Sequence, residues 1–427
     1  MRSLSIATVL TMSLHIGWNV DGMTGGATCT ANNGDWCRHG TASGKAGGFD
    51  YPSSVASNLN TGDLYVADLD NYRVEEFTPS GVFVSMFGWD VNARRSALGR
   101  SSRERNVCAA DSRDFCDTGE PGSHGGQLVY PQSIAVDPFT GDVYVLEIAN
   151  GNYRVDRYTT AGRFVWVIGK RVNVARSGNI CRASEVQRLR VKCASGRRSA
   201  TGSLEHAAFK FPQQEGNLLA AGGPDDLLFV GDEQRVQEFD AAGKWRREIA
   251  LASVSSAPGS SVTAVAVTVS GELYLVYRVA GGKVGSGMEQ NSVVRRFNQK
   301  GEQVGEFSVT PRLANAIVDI DGIAIEAAGR IAVIGVEVGV GLHQRFGYIY
   351  DGATGDLIGR FSPPTDNDGL TFNSHGDLYV AATDDQEVVG YVPGPVSQLL
   401  SEPVPCEIAP ADDFSAAFEC ALATAGG

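Results

Sequence analysis

Two stretches of this chain repeat each other closely enough to fix its architecture. "GGFDYPSSVASNLNTGDLYVADLDNYRVEEFTPSGVFVSMFGWDVN" and "GGQLVYPQSIAVDPFTGDVYVLEIANGNYRVDRYTTAGRFVWVIGKRVN" align from end to end, and their prolines, Pro52 and Pro131, stand 79 residues apart. A third copy starts at Phe211-Pro212 and continues "DDLLFVGDEQRVQEFDAAGKWRREIA". Each copy reads as four short strands parted by Gly, Asn, Asp and Pro turns; in the first these are Ser54–Ser57, Leu64–Ala67, Arg73–Phe77 and Val82–Phe87. Four strands per repeat is the signature of a propeller blade. Fainter fourth and fifth copies follow, and a sixth, "DGLTFNSHGDLYVAATDDQEVVGYV", stops after three strands.

The missing strand is legible at the other end of the chain. Leu4, Ile6, Leu10, Met12, Leu14 and Ile16 alternate with polar or small neighbours, the period of a half-buried strand. "IGWNVD" after them matches "FGWDVN" at the end of the first copy's fourth strand. The expected fold is therefore all-β: a six-bladed β-propeller over residues 1–395, closed by the N-terminal strand joining the C-terminal blade, leaving no open edge. The same opening residues also read as a weak signal peptide, but they lack a small-x-small cleavage site and Thr, Ser and His interrupt the apolar run. Residues 396–427 break the repeat and read as an appendage, or the start of a truncated β-sandwich. Both chain ends read as cut, which makes the expected protein a monomeric propeller within a longer multi-module chain.

At "YPSSVASNLNTGDLYVADLDNYRVEEF" the pattern P-x-x-[VI]-A, G-[DE]-[LV]-Y-V, D-x-x-N-x-R-V resembles the NHL repeat, whose members fold as six-bladed propellers. The chain is similar to a bacterial subgroup of exported or surface NHL-repeat proteins with cysteine-clasped loops between blades. The resemblance implies a binding scaffold without catalysis. On the repeat motif, Asp68, Asn71 and Arg73, then Asn152 and Arg154 with Glu147 in place of Asp, then Asp232 and Arg235, are expected to make blade-to-blade hydrogen bonds.

Eight cysteines fall as neighbours: Cys29/Cys37, Cys108/Cys116, Cys181/Cys193 and Cys406/Cys420. Without C-x-x-C spacing they read as local disulfides of an oxidising, extracellular or cell-surface compartment rather than as metal ligands; reduced thiols are the alternative. Strand parity puts the three inter-blade cysteine loops on the face that carries the D-x-x-N-x-R turns. There they either stiffen a binding rim or resist proteolysis. From Lys170 to Arg198 nine basic residues face Glu185 alone, in a chain whose net charge is −13. Arg182, Arg188, Arg190, Lys192, Arg197 and Arg198, with Asp70, Tyr72 and Tyr153, form the candidate ligand face. A solvated loop is the plainer reading of the basic run.

The expected partner on that face is a protein or an anionic glycan. Nucleic acid is disfavoured by the net charge and by the lack of aromatics within the basic run. No apolar run is long enough for a transmembrane helix. The alternative function is a calcium-dependent lactonase or lyase with its site in the central channel. The ends of the innermost strands (Asn58, Asp137, Thr268, Glu326, Asn373) supply two carboxylates at turn positions, few for a cation that takes six to eight oxygens. His39, His124 and His206 sit at unmatched offsets, and no G-x-S-x-G, H-E-x-x-H or P-loop occurs. No catalytic residue, metal or cofactor is expected.

Overall fold

The computed structural model describes residues 8–394, apart from 31–35, 113, 149–150, 190, 199–204, 210–215, 233–234, 251–260, 285–286, 310–316, 340–341 and 365–366. The appendage expected at 396–427, with Cys406 and Cys420, lies outside the described residues, as do Arg190, Leu4 and Ile6.

Six antiparallel blades ring a central axis. Their innermost strands are Pro52–Ser57, Pro131–Val136, Leu219–Gly222, Ser261–Val267, Ile317–Ile325 and Asn367–Phe372, each packed against the next around the circle. Blades one to five each supply four consecutive strands; blade one adds Leu64–Asp68, Arg73–Phe77 and Phe83–Phe87 to its inner strand. In those five blades the third–fourth hairpin carries a register shift next to an aromatic residue (Phe77, Tyr158, Phe239, Phe297, Tyr350). A bulge there increases local twist. Gly81 and Gly162 close two of these hairpins at φ +81° and +67°. A Cβ on Gly162 would lie 2.6 Å from that of Phe87 in the preceding blade, so glycine is required for the blades to meet.

Blade six contributes Asn367–Phe372, Leu378–Ala382 and Glu387–Gly394, and the N-terminal strand Thr8–Ile16 completes it, pairing antiparallel from Val9↔Gly394 to Ile16↔Val388. Leu14 and Ile16 thereby join Val55, Leu64, Val66, Phe77, Tyr379 and Val388 in the core between blades six and one. Two features depart from the simple alternation. A bulge between Met12 and Leu14 turns Met12 outward and buries Ser13, whose hydroxyl donates to the Gly390 carbonyl. The strand also begins by pairing in parallel with blade five, Thr8↔Gly359 and Val9↔Arg360, so blades five and six share one continuous sheet.

Candidate functional site

The cysteine segments are not simple loops. After the fourth strand the chain turns through a residue of positive φ (Asn19 +67°, Asp90 +61°, Arg171 +60°). It then returns as a fifth strand on the blade's outer edge: Thr28–Thr30 on blade six, Val107–Ala109 on blade one and Gly178–Arg182 on blade two. Cys29, Cys108 and Cys181 lie buried on these strands, and disulfides tie them to Cys37, Cys116 and Cys193 with Cα atoms 5.5–5.6 Å apart. The second cysteine of each pair bridges back to the turn, as Asp21↔Cys37, Asn92↔Cys116 and Asn173↔Cys193. Three successive blades thus have a covered, cross-linked outer edge.

The repeat motif holds these excursions down. Arg73, fully buried, donates to Asp68 at 2.9 Å within its own blade, then to the carbonyls of Gly44 (2.7 Å), Lys45 (3.1 Å) and Gly48 (2.6 Å) on the segment arriving from blade six. Arg154 donates to Glu147 (2.9 Å) and to the carbonyls of Ser123, His124, Ala194 and Gln127. Arg235 donates to Asp232 (2.8 Å) and to the Glu205 and Ala208 carbonyls. Asn71 and Asn152 complete the first two nests by donating to Asp68 and Glu147. The motif therefore staples each blade to the crossover that feeds it rather than linking two blade sheets directly. In the first two nests a second buried carboxylate, Glu75 or Asp156, lies 3.0 or 2.9 Å from the guanidinium. One cation then serves two desolvated acids. Burial pushes Asp68 up to about 6 against the pull of Arg73, and it drives Glu75 and Asp156 well above the usual carboxylate range.

Between the clasped excursions of blades one and two opens a cleft of about 640 Å³. One wall is Ser102, Arg103, Asn106 and Val107; the other is Ala183, Val186, Gln187, Val191, Lys192 and Cys193; Trp89, His124, Arg163 and Phe164 line the space between. The Trp89 and His124 rings lie 5.8 Å apart, and the Arg105 guanidinium sits 4.9 Å from the Trp89 centroid while pairing with Asp90. No carboxylate lines the cleft among the described residues, and Arg103, Arg163 and Lys192 form no ion pair among them. In a chain of net charge −13 this is a concentrated positive surface.

The basic insertion contributes less than its composition implies. Of the candidate ligand-face residues, Lys192 lines the cleft, while Arg188, Arg197 and Arg198 are exposed and lie outside its lining. Arg182 turns away and donates to the Ala242 carbonyl of blade three. Lys170 pairs with Glu205 and Arg176 with Glu185, and Glu185 also accepts from the Arg182 backbone. Asp70, Tyr72 and Tyr153 lie outside the cleft lining. Tyr72 packs edge-on to Tyr130 at 5.4 Å, and the Tyr153 amide donates to the Gly196 carbonyl under the clasp. Arg163 escapes the parity argument because it sits on the hairpin at the opposite strand ends. Blade twist carries that turn up against Phe87 and into the cleft.

Residues 49–77 match the family model for the NHL repeat. The six-bladed propeller thus carries an NHL repeat in its first blade. It is 28% identical over 133 residues to the protein brain tumor of Drosophila melanogaster, a match covering 31% of this chain and 10% of that protein. The match thus spans about a tenth of that relative's length. Among solved structures it resembles a gluconolactonase from Xanthomonas campestris (11% identity, 92% of this chain and 99% of that one, TM-score 0.44). A virginiamycin B lyase from Staphylococcus aureus is similar at 10% identity, 82% and 97% coverage and TM-score 0.39. Such loose superpositions carry no argument about activity.

The six inner strands line a small central channel. Val55, Ile134, Leu219, Val265, Ile323 and Leu370, one from each inner strand, help enclose a space of about 100 Å³. The polar residues at the strand ends serve turns. The Asn58, Asp137 and Asn373 side chains accept backbone amides two to four residues on, the Thr268 hydroxyl accepts from Glu272, and Glu326 pairs with Arg330. His124 faces the cleft, whereas His206 stacks on Trp245 with centroids 3.6 Å apart.

Proposed function

We propose that the chain is a non-enzymatic recognition or scaffolding module of an oxidising, extracellular setting, and that it takes an acidic saccharide into the cleft between blades one and two. One observation carries this reading: Arg103, Arg163 and Lys192 surround a concave space of ligand size with no carboxylate among its described lining residues. A carboxylated sugar chain matches that charge, and it offers ring faces and hydroxyls to Trp89, His124, Gln187 and Asn106. The concavity favours a narrow chain over a flat protein surface. Three disulfides, two of them framing the cleft walls, support the oxidising setting and hold those walls apart in advance of binding.

Titration with an oligogalacturonate, alongside a poly-glutamate peptide of equal charge, tests the proposal. Saturable uronate binding that weakens with added salt and falls at least tenfold in Arg103→Glu/Arg163→Glu/Lys192→Glu supports it. Absence of uronate binding, indifference to the triple substitution, or equal affinity for the peptide overturns it.

A further inference from the structure

At the ring-closure seam, blade six breaks the rule that the other NHL nests obey. The second and third strands of blades one, two and three end on register pairs of acid and arginine, Asp68↔Arg73, Glu147↔Arg154 and Asp232↔Arg235. The matching pair in blade six is Ala382↔Glu387. The acid is gone and the arginine has become a carboxylate. Glu387 is nonetheless buried, 2% exposed. A carboxylate at such a depth calls for a cation. What surrounds it is two histidines and a second carboxylate, donated by both sides of the seam.

We propose that His39, Asp385 and Glu387 bind a divalent transition metal, zinc in class, which fastens the N-terminal segment to the last blade. His39 Nδ1 lies 3.2 Å from Asp385 Oδ1 and 3.5 Å from Glu387 Oε1. One ligand atom from each of the three falls within 4.8 Å of the others. Zinc bonds of about 2.0–2.2 Å in a tetrahedron put neighbouring ligand atoms roughly 3.3–3.5 Å apart, close to the separations at which His39 already stands from the two carboxylates. The other Glu387 oxygen is already occupied: His15 Nδ1, on the closing strand, donates to Oε2 at 2.8 Å and fixes the carboxylate's orientation.

The His39 backbone is equally well set. It follows the Cys29–Cys37 disulfide by two residues, and the flanking amides of Arg38 and Thr41 donate to the Val20 and Trp18 carbonyls at 2.9 and 2.8 Å. The imidazole side chain is 71% exposed, which leaves solvent to fill the remaining coordination position. An imidazole with only two carboxylates suits first-row transition metals; calcium takes six to eight oxygens. The site lies at the closing seam within blade six, and the cleft proposal plays no part in it.

The test uses untagged, chelator-stripped protein titrated with Co²⁺ and, in competition, Zn²⁺. The expected result is one equivalent bound per chain, with visible Co²⁺ absorption of a four- or five-coordinate site that Zn²⁺ abolishes. His39→Ala and Asp385→Asn, neither at a fully buried position, each lower affinity at least tenfold. No saturable Co²⁺ binding by the unaltered protein, or unchanged binding in the double variant, overturns the assignment.

Discussion

Replacing Arg154 by methionine isolates what the repeat motif contributes. The side chain is wholly buried, pairs with Glu147 and Asp156, and holds four backbone carbonyls on the crossover and clasp. Methionine fills much of the volume but leaves both acids without a cation. Uncovering a buried ion pair costs roughly 3–5 kcal/mol. Each carbonyl left without a donor adds about 1 kcal/mol before water and relaxation recover part of it. A loss of at least about 4 kcal/mol at pH 7.5 follows, a large share of the ~5–15 kcal/mol that holds a typical domain together.

The pH dependence gives this prediction its sign. Burial and the neighbouring Glu147 raise the Asp156 pKa in the folded protein. Protonated Asp156 therefore favours the fold below its unfolded pKa, and that contribution is lost as pH rises through the folded value. Removing Arg154 raises the folded value further, so the variant's deficit is smaller at pH 5 than at pH 7.5. Adding Asp156→Asn to Arg154→Met recovers part of the loss at pH 7.5. Urea unfolding followed by tryptophan fluorescence at both pH values is the assay. A deficit under about 1 kcal/mol at pH 7.5, against the expected loss from breaking a buried pair, refutes the reasoning. So does a deficit identical at pH 5.

Three other perturbations bear on separate parts of the molecule. Cys108→Ser/Cys116→Ser opens a loop of about nine residues and lowers stability by roughly 2–3 kcal/mol in a chain-entropy estimate; chemical denaturation checks this, and uronate affinity should fall with it. Gly162→Val sets a branched side chain against Phe87 at a positive φ, so the thermal midpoint drops by several degrees, whereas Gly151→Ala, with open space around its Cβ, changes it far less. Deleting residues 1–17 strips blade six of its fourth strand; hydrogen exchange should then quicken at Val388–Tyr391, and intact protection there would contradict the seam pairing.

Much of the fold was legible because a repeat gives the same evidence several times. The aligned prolines marked the inner strands, and "IGWNVD" against "FGWDVN" placed the closing strand, down to the shared positive φ at Asn19 and Asp90. The fifth strands were not legible: Thr28–Thr30 and Val107–Ala109 are three residues each, too short for any periodicity to register. The cleft was half legible. Lys192 stood out within a basic run, but Arg163 belongs to a hairpin that parity assigns to the opposite face, and only the accumulated twist of the blades reverses that. His39 seemed isolated because its partners, Asp385 and Glu387, follow it by more than three hundred residues. The signal that finds them is the loss of the repeat's own arginine at Glu387.

The seam also sets a schedule. His15 and Glu387 touch across 372 positions of sequence. At about 5–20 residues added per second, the first must wait on the order of 20–75 s for the ribosome to reach the second. Throughout that interval Leu10, Leu14 and Ile16 sit on a nascent strand that has Thr28–Thr30 beside it but not the third strand of blade six, and blade one lacks the neighbour that later covers its flank. The hydrogen bonds between Val9–Ile16 and Val388–Gly394 can form only once both segments have been made.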